Sequence, residues 1–334
     1  MARMHKANLT APTRRSLVLG LAAGAVAQTL NGEPDKTSQA LSSFQPESVR
    51  LLQTVLSDNQ FRGHVPTSVV DALMKSESLS RDALTLKLLP LAQSFAHPPI
   101  SEYFVGAVAI GNAGLYLGCN IEMPGGTLGL AVHAEQSAIA NAYMSDESAV
   151  EAIAVRGSPC GHCRQFLSEV ALEQTMRVLT PDAPVMKLSE LLPRPFGPKY
   201  LGFSQGALPV RRTQLSLALD THDSLILEAL RAATGAYTPY SKSTSGIALD
   251  TSTRRKFAGS YIENAAFNPS LPPLQAALAG YFAAGSHAGE IRRVVLVEGQ
   301  NSAVSHEVTT RSTLASIAPN ARFERLTLSG AAPR

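Results

Sequence analysis

Residues Tyr103–Glu122 read YFVGAVAIGNAGLYLGCNIE, two short apolar runs (Tyr103–Ile110 and Leu115–Ile121) on either side of Gly111-Asn112-Ala113-Gly114. Runs of that length divided by Gly and Asn predict a β-hairpin. Downstream, Ala131–Tyr143 is rich in Ala and has only Ile139 as a β-branched residue after His133, which predicts a helix. Ala149–Arg156 then reads as a short strand, broken by Gly157-Ser158-Pro159. Cys160–Leu172 resumes helical spacing with Phe166, Leu167 and Val170, and Met176–Leu179 reads as a further strand. Upstream, Glu47–Leu56 and Thr67–Met74 have helical apolar spacing. Ser80-Arg81-Asp82 has the character of a cap for a helix through Leu84–Ala96, which Pro98-Pro99 ends. The order helix, hairpin, helix, strand, helix, strand predicts an α/β fold, a three-layer α/β/α sandwich around a mixed sheet.

At 334 residues the chain is too long for one ordinary domain and suits two of about 100–150 residues each. With 45% apolar and 16% charged residues, global disorder is excluded. Lys and Arg number 29 against 26 Asp and Glu, and Trp is absent, so no strong field marks a nucleic-acid-binding surface. Three cysteines cannot build a disulfide scaffold. No apolar run reaches the ~18–20 residues of a membrane span.

Residues 1–32 contain no Asp or Glu; Thr13-Arg14-Arg15 leads into the weakly apolar Ser16–Ala27, which closes on Ala25-Val26-Ala27. This is the pattern of a twin-arginine export signal, and the segment is set apart from the fold. Residues 33–80 are expected to form a helical region. Residues 183–213 hold five prolines and no strong periodicity, as expected of a linker or an arm.

The chemistry is expected where helices begin. His133-Ala134-Glu135 opens one helix and Pro159-Cys160-Gly161-His162-Cys163 the next. His133, Cys160 and Cys163 supply three ligands for a catalytic zinc, leaving the fourth position for water. A helix N-terminus favours thiolate. A carboxylate ligand from Glu135 would close the site, so Glu135 is placed as the proton carrier beside the water. His-x-Glu followed by Pro-Cys-x-x-Cys is the signature of zinc-dependent nucleobase deaminases.

The runs Val132–Ile139 and Pro159–Phe166 resemble cytidine deaminase of the long, two-domain, homodimeric type. The likeness continues through Phe196-Gly197-Pro198-Lys199, Pro239-Tyr240-Ser241-Lys242 and Glu263–Pro269, and covers about residues 81–330. It implies that Asn120-Ile121-Glu122 is the Asn-x-Glu motif whose side chains hold the sugar hydroxyls; residues i and i+2 of a strand share a face. The family's Phe-x-Val-Gly aromatic, which packs on the pyrimidine, aligns with Tyr103 in Tyr103-Phe104-Val105-Gly106, so either Tyr103 or Phe104 faces the base. Ala134 joins the substrate contacts, and Phe196 resembles a residue that reaches into the partner's active site. His162 and Arg164 are either orienting groups for the thiolates or surface residues.

The chain repeats itself. Tyr240–Leu249 lines up with Ile100–Ile110, and Gly259–Glu263 with Gly118–Glu122. Pro272 and Leu274 then fall where His133 and Glu135 stand, and the second half has no cysteine. Cys119, within a strand, reads as a small buried apolar residue. The expected organisation is a leader (1–32), a helical region (33–80), a catalytic zinc domain (81–182), an arm (183–215) and a degenerate, zinc-less copy (216–330).

The resemblance implies hydrolytic deamination of free cytidine and deoxycytidine by a homodimer with one Zn2+ per chain. It also implies a cytoplasmic location, against which the leader sets export. Two other readings remain: a nucleic-acid cytosine deaminase, which needs a basic aromatic channel, and a non-catalytic zinc protein, which needs a fourth protein ligand such as Cys119.

Overall fold

The structure, a computed structural model, describes residues 35–170, 175–300 and 302–329. The expected leader and the Leu172 end of the helix that begins near Cys160 lie outside the described residues.

The N-terminal part comprises α1 (Lys36–Leu41), α2 (Pro46–Ser57), β1 (His64–Pro66), α3 (Thr67–Glu77), α4 (Arg81–Lys87) and α5 (Leu89–Ser94). The first half continues with β2 (Gly106–Gly111), β3 (Gly114–Cys119), α6 (Ala134–Met144), β4 (Val150–Val155), α7 (Gly161–Val170) and β5 (Arg177–Leu179). β6 (Met186–Lys187) and α8 (Leu188–Leu191) follow, then α9 (Ser224–Thr234), β7 (Ser245–Thr251), β8 (Lys256–Ser260) and α10 (Pro273–Ala283). β9 (Ile291–Glu298), α11 (Glu307–Ile317) and β10 (Arg322–Thr327) complete the chain.

Two mixed sheets result, ordered β1-β3-β2-β4-β5-β6 and β10-β9-β7-β8. In each, the hairpin and the next strand are antiparallel and the following pair is parallel (β4 with β5, β9 with β10). Both faces of the first sheet are buried, and the residues alternate with period two. Ala107, Ala109, Ile153 and Val155 face one core, while Val108, Ile110, Ala152 and Ala154 face the other. α5 covers one face and α6 the other; α9 and α10 do the same for the second sheet. The fold is therefore a duplicated α/β/α sandwich. α6 and α10 pack on each other, and Ala138, Ile139, Leu274 and Ala277 belong to one continuous core.

The repeat has a backbone cause at Gly118 and Gly259. A Cβ on Gly118 would come within 2.4 Å of the Ala134 carbonyl oxygen, and one on Gly259 within 2.1 Å of that of Pro273. Only glycine lets α6 and α10 approach their hairpins so closely.

Several expectations are corrected. The helix expected through Leu84–Ala96 is two helices, because Pro90 has no N–H to continue the ladder past Leu88. The region 33–80 is not wholly helical: β1 pairs with β3, three residues being too few for a periodic signal. The arm carries β6, paired with β5, and α8. α6 begins at Ala134 rather than Ala131, since Val132 bridges Ile121 in extended conformation.

Candidate metal centre and nucleoside cleft

Two helix starts place the donor set. His133, extended at φ −80° and ψ 155°, precedes the first turn of α6, and its backbone N–H donates to Gln136 Oε1 at 3.2 Å. At α7, Cys160 occupies the capping position: the Cys163 N–H donates to Cys160 Sγ at 3.4 Å. Arg164 pins the preceding loop, donating to the Pro159 carbonyl at 2.7 Å and to Ser158 Oγ at 2.9 Å.

These starts bring His133 Nδ1 to 3.5 Å from Cys160 Sγ and 3.3 Å from Cys163 Sγ, with the two sulfurs 3.5 Å apart. Tetrahedral zinc with ordinary bond lengths needs about 3.5 Å between nitrogen and sulfur and about 3.8 Å between sulfurs. The three residues therefore fit zinc. Cys160 is exposed toward the cleft while Cys163 is buried, which leaves one side open. Cys119 lies outside this cluster, fully buried, and burial pushes its thiol up to about 12.

The Cys163 thiol and backbone N–H hold the Cys160 thiol well down, to about 4, against the effect of burial. Cys163 moves the opposite way, because it donates to that sulfur and is itself buried. Glu135, 5% exposed in the first turn of α6, is raised above the ordinary carboxylate range by burial, with the hydrogen bonds it accepts acting against the rise. A buried carboxyl of raised pKa beside the donor set is suited to carrying protons. The His162 ring centroid lies 5.5 Å from that of His133, and burial lowers its pKa.

A cleft of about 340 Å3 opens over the donors, lined by Ser101, Tyr103, Phe104, Val105, Asn120, Glu122, Ala134, Glu135 and Arg156, with His133 and Cys160 at its base. Asn120 accepts from the Val105 N–H and donates to the Tyr103 carbonyl, both at 2.8 Å, which ties the hairpin entry to its exit. Glu122 accepts the Ile100 N–H at 2.8 Å, the Ser101 N–H at 2.9 Å and the Ser101 hydroxyl at 2.5 Å. Burial acts to raise its carboxyl, but these hydrogen bonds hold it below the ordinary value. Both residues lie just past β3, not within it.

Tyr103 and Phe104 both line the cleft but differ in support. Tyr103 is 69% exposed, whereas Phe104 carries Lys36 Nζ 3.8 Å above its ring and its carbonyl accepts from Gln93 Nε2 at 2.8 Å. Phe196 is not among the lining residues; it stacks on Tyr200, with centroids 5.5 Å apart, and is 45% exposed. Sequence reasoning missed Ser101, Lys36 and Arg156. Ser101 had a signal, since Ser241 repeats it in the second half.

The family model for the cytidine and deoxycytidylate deaminase zinc-binding region matches residues 79–178, and a second model of the same description matches residues 188–311. Cytidine deaminase of Vibrio parahaemolyticus is 41% identical over 288 residues, 85% of this chain and 96% of that protein. Cytidine deaminase of Aliivibrio fischeri is 39% identical, covering 88% and 98%. That of Shewanella halifaxensis is 40% identical, covering 78% and 88%. Identity at this level along nearly the whole of these relatives, with the donor cluster in place, means that the chain belongs to the cytidine and deoxycytidylate deaminase family.

Proposed function

We propose that the protein hydrolyses cytidine and 2′-deoxycytidine to uridine and deoxyuridine with release of ammonia, a pyrimidine-salvage reaction. One observation carries the reading: His133, Cys160 and Cys163 stand at zinc-ligand separations, and His133 and Cys160 line a cleft together with buried Glu135. Zinc held by His133, Cys160 and Cys163 would supply Lewis acidity that makes a water easier to deprotonate. Glu135 accepts the proton of that water and delivers it to N3 of the pyrimidine as the oxygen adds at C4. It then moves the proton of the new C4 hydroxyl to the amino group, which leaves as ammonia as the C4 carbonyl forms. Asn120 and Glu122 hold the sugar hydroxyls, Ala134 contacts the base, and Tyr103 or Phe104 covers its face. Arg164 fixes the thiolate loop.

The same reading assigns one zinc per chain. Pro272 and Leu274 at the start of α10 offer neither a ligand nor a proton carrier. Residues 81–182 form the catalytic unit and 216–330 its zinc-less copy, joined by the arm. Exposed Phe196 on that arm is supplied to a partner's site in a two-fold dimer, which sedimentation tests. Among the described residues no helix is long and apolar enough to cross a membrane. By family resemblance, and not from that absence, we place the protein in the cytoplasm; an export role for Arg14-Arg15 would appear as full-length protein trapped inside the cell when both are changed to Lys.

The test is to assay the purified full chain against cytidine, deoxycytidine and a cytosine-bearing oligonucleotide. Ammonia release from the free nucleosides alone supports the reading. Release from the oligonucleotide alone favours the nucleic-acid deaminase, and release from none favours a non-catalytic zinc protein.

A further inference from the structure

A second cleft, of about 620 Å3, lies where the segment before β1 meets the β7–β8 hairpin and the end of α6. α6 runs for 11 residues, so this cleft is about 15 Å along the helix from Glu135. Its wall carries Arg62, Arg231, Arg254, Arg255 and Lys256 against a single carboxylate, Glu228.

The charges are not balanced from within. Glu228 sits 3.6 Å from Arg231, which also pairs with Asp146 at 3.1 Å. Among the described residues Arg62, Arg254, Arg255 and Lys256 form no ion pair. Arg62 spends its donors on the carbonyls of Lys256, Asn59 and Phe61 at 2.7–2.9 Å. Arg255 is only 5% exposed; Nη2 donates to the Phe61 carbonyl at 2.7 Å, and buried Nε has no partner. Both guanidiniums lie over Phe257, 4.2 and 5.5 Å from its centroid. Burial, and then the charge of Arg255, bring Arg62 down to about 10. Asp58 and Glu228 act on these guanidiniums without an ion pair to either. Buried charge is ordinarily paired, so two like charges over one ring with an orphaned donor leave a place for a counter-charge from outside.

We infer that this cleft binds a phosphate-bearing anion, with Arg254, Lys256 and the Nη1 of Arg255 donating to its oxygens and the carbonyl-bound Arg62 adding its charge behind them. A planar guanidinium with free donors, such as that of Arg254, matches phosphate oxygens in pairs, and Phe257 holds the guanidiniums of Arg62 and Arg255 in place beside it. Lys256 Nζ rests on Ser224 Oγ at 2.6 Å, a neutral partner it can exchange for an anion. Inorganic pyrophosphate and the phosphate tail of a nucleotide share the chemistry recognised.

Calorimetric titration of the full-length, zinc-loaded protein at fixed ionic strength tests this with two probes, pyrophosphate and a nucleoside triphosphate. The expected result is saturable binding, one per chain, with Kd below ~1 mM. Arg62→Gln should weaken it about tenfold. The paired Arg254→Gln and Lys256→Gln variant should do the same and serves if Arg62→Gln does not fold. Tighter binding of the triphosphate identifies a nucleotide; equal affinities identify the phosphates alone. Absence of saturation with either probe overturns the inference. So does a response that both variants retain, which would include zinc stripping by the probe.

Discussion

Glu122 and Glu263 grip the same loop in the two halves of the chain. Glu122 takes the N–H groups of Ile100 and Ser101 and the Ser101 hydroxyl; Glu263 takes those of Tyr240 and Ser241 and the Ser241 hydroxyl. Around this shared loop the pockets differ. Asn120 borders an open cleft, while its counterpart Tyr261 meets the ring of buried His306 with centroids 4.2 Å apart. The second half keeps the loop and fills the space beneath it.

Equivalent substitutions should therefore have different consequences. Glu263→Gln should cost about 1–3 kcal/mol of stability through weakened charge-assisted hydrogen bonds, with kcat/KM near wild type. Glu122→Gln should lower kcat/KM by about tenfold or more, since a hydrogen bond to a charged group contributes about 1.5–3 kcal/mol, and should leave zinc bound. Denaturant melts and steady-state kinetics on both variants give the comparison. Equal kinetic losses would contradict the assignment of Glu122 to substrate.

Lys36 reaches from α1 over Phe104, so the N-terminal region supports the cleft. Lys36→Met should reduce kcat/KM about two- to fivefold, the worth of one partly exposed cation–π contact. In a Phe104→Leu background the same change should have no further effect. Additive losses would show that Lys36 acts elsewhere.

His306 sets part of the acid stability. Burial lowers its pKa from 6.5 to about 4, so between those values the unfolded chain binds a proton that the folded chain refuses. Stability present above pH 6.5 should fall with pH, by up to about 3 kcal/mol near pH 4. The difference in unfolding free energy between wild type and His306→Phe should shift by that order across this window. Parallel pH profiles would show that His306 is protonated within the fold.

The sequence was most informative where a residue type is dictated by chemistry or by close approach. His133, Cys160 and Cys163, which the fold brings together, were visible with Glu135 because the metal-holding and proton-carrying roles proposed for them tolerate few alternatives, and Gly118 and Gly259 marked the repeat. β1 escaped because three residues carry no period, and the break at Leu88 because the apolar spacing continues through Pro90. Lys36 was invisible for another reason. Its place over Phe104 depends on how α1 packs on α5, a tertiary contact with no local pattern.

Metal content separates the two halves. Elemental analysis of the full chain after dialysis against a weak chelator should give close to one zinc per chain. Pro272 lacks both an imidazole and a backbone N–H, and His306 has no thiolate beside it among the described residues. A value near two would mean that the second half binds metal.

The most direct test is Glu135→Gln measured for zinc and turnover together. Gln keeps the shape and removes the proton carrier, so zinc should remain at the wild-type level. Ammonia release from cytidine should fall by at least ~10²-fold, the scale of general acid–base catalysis. A zinc-loaded Glu135→Gln enzyme that retains a substantial share of wild-type turnover would contradict the mechanism.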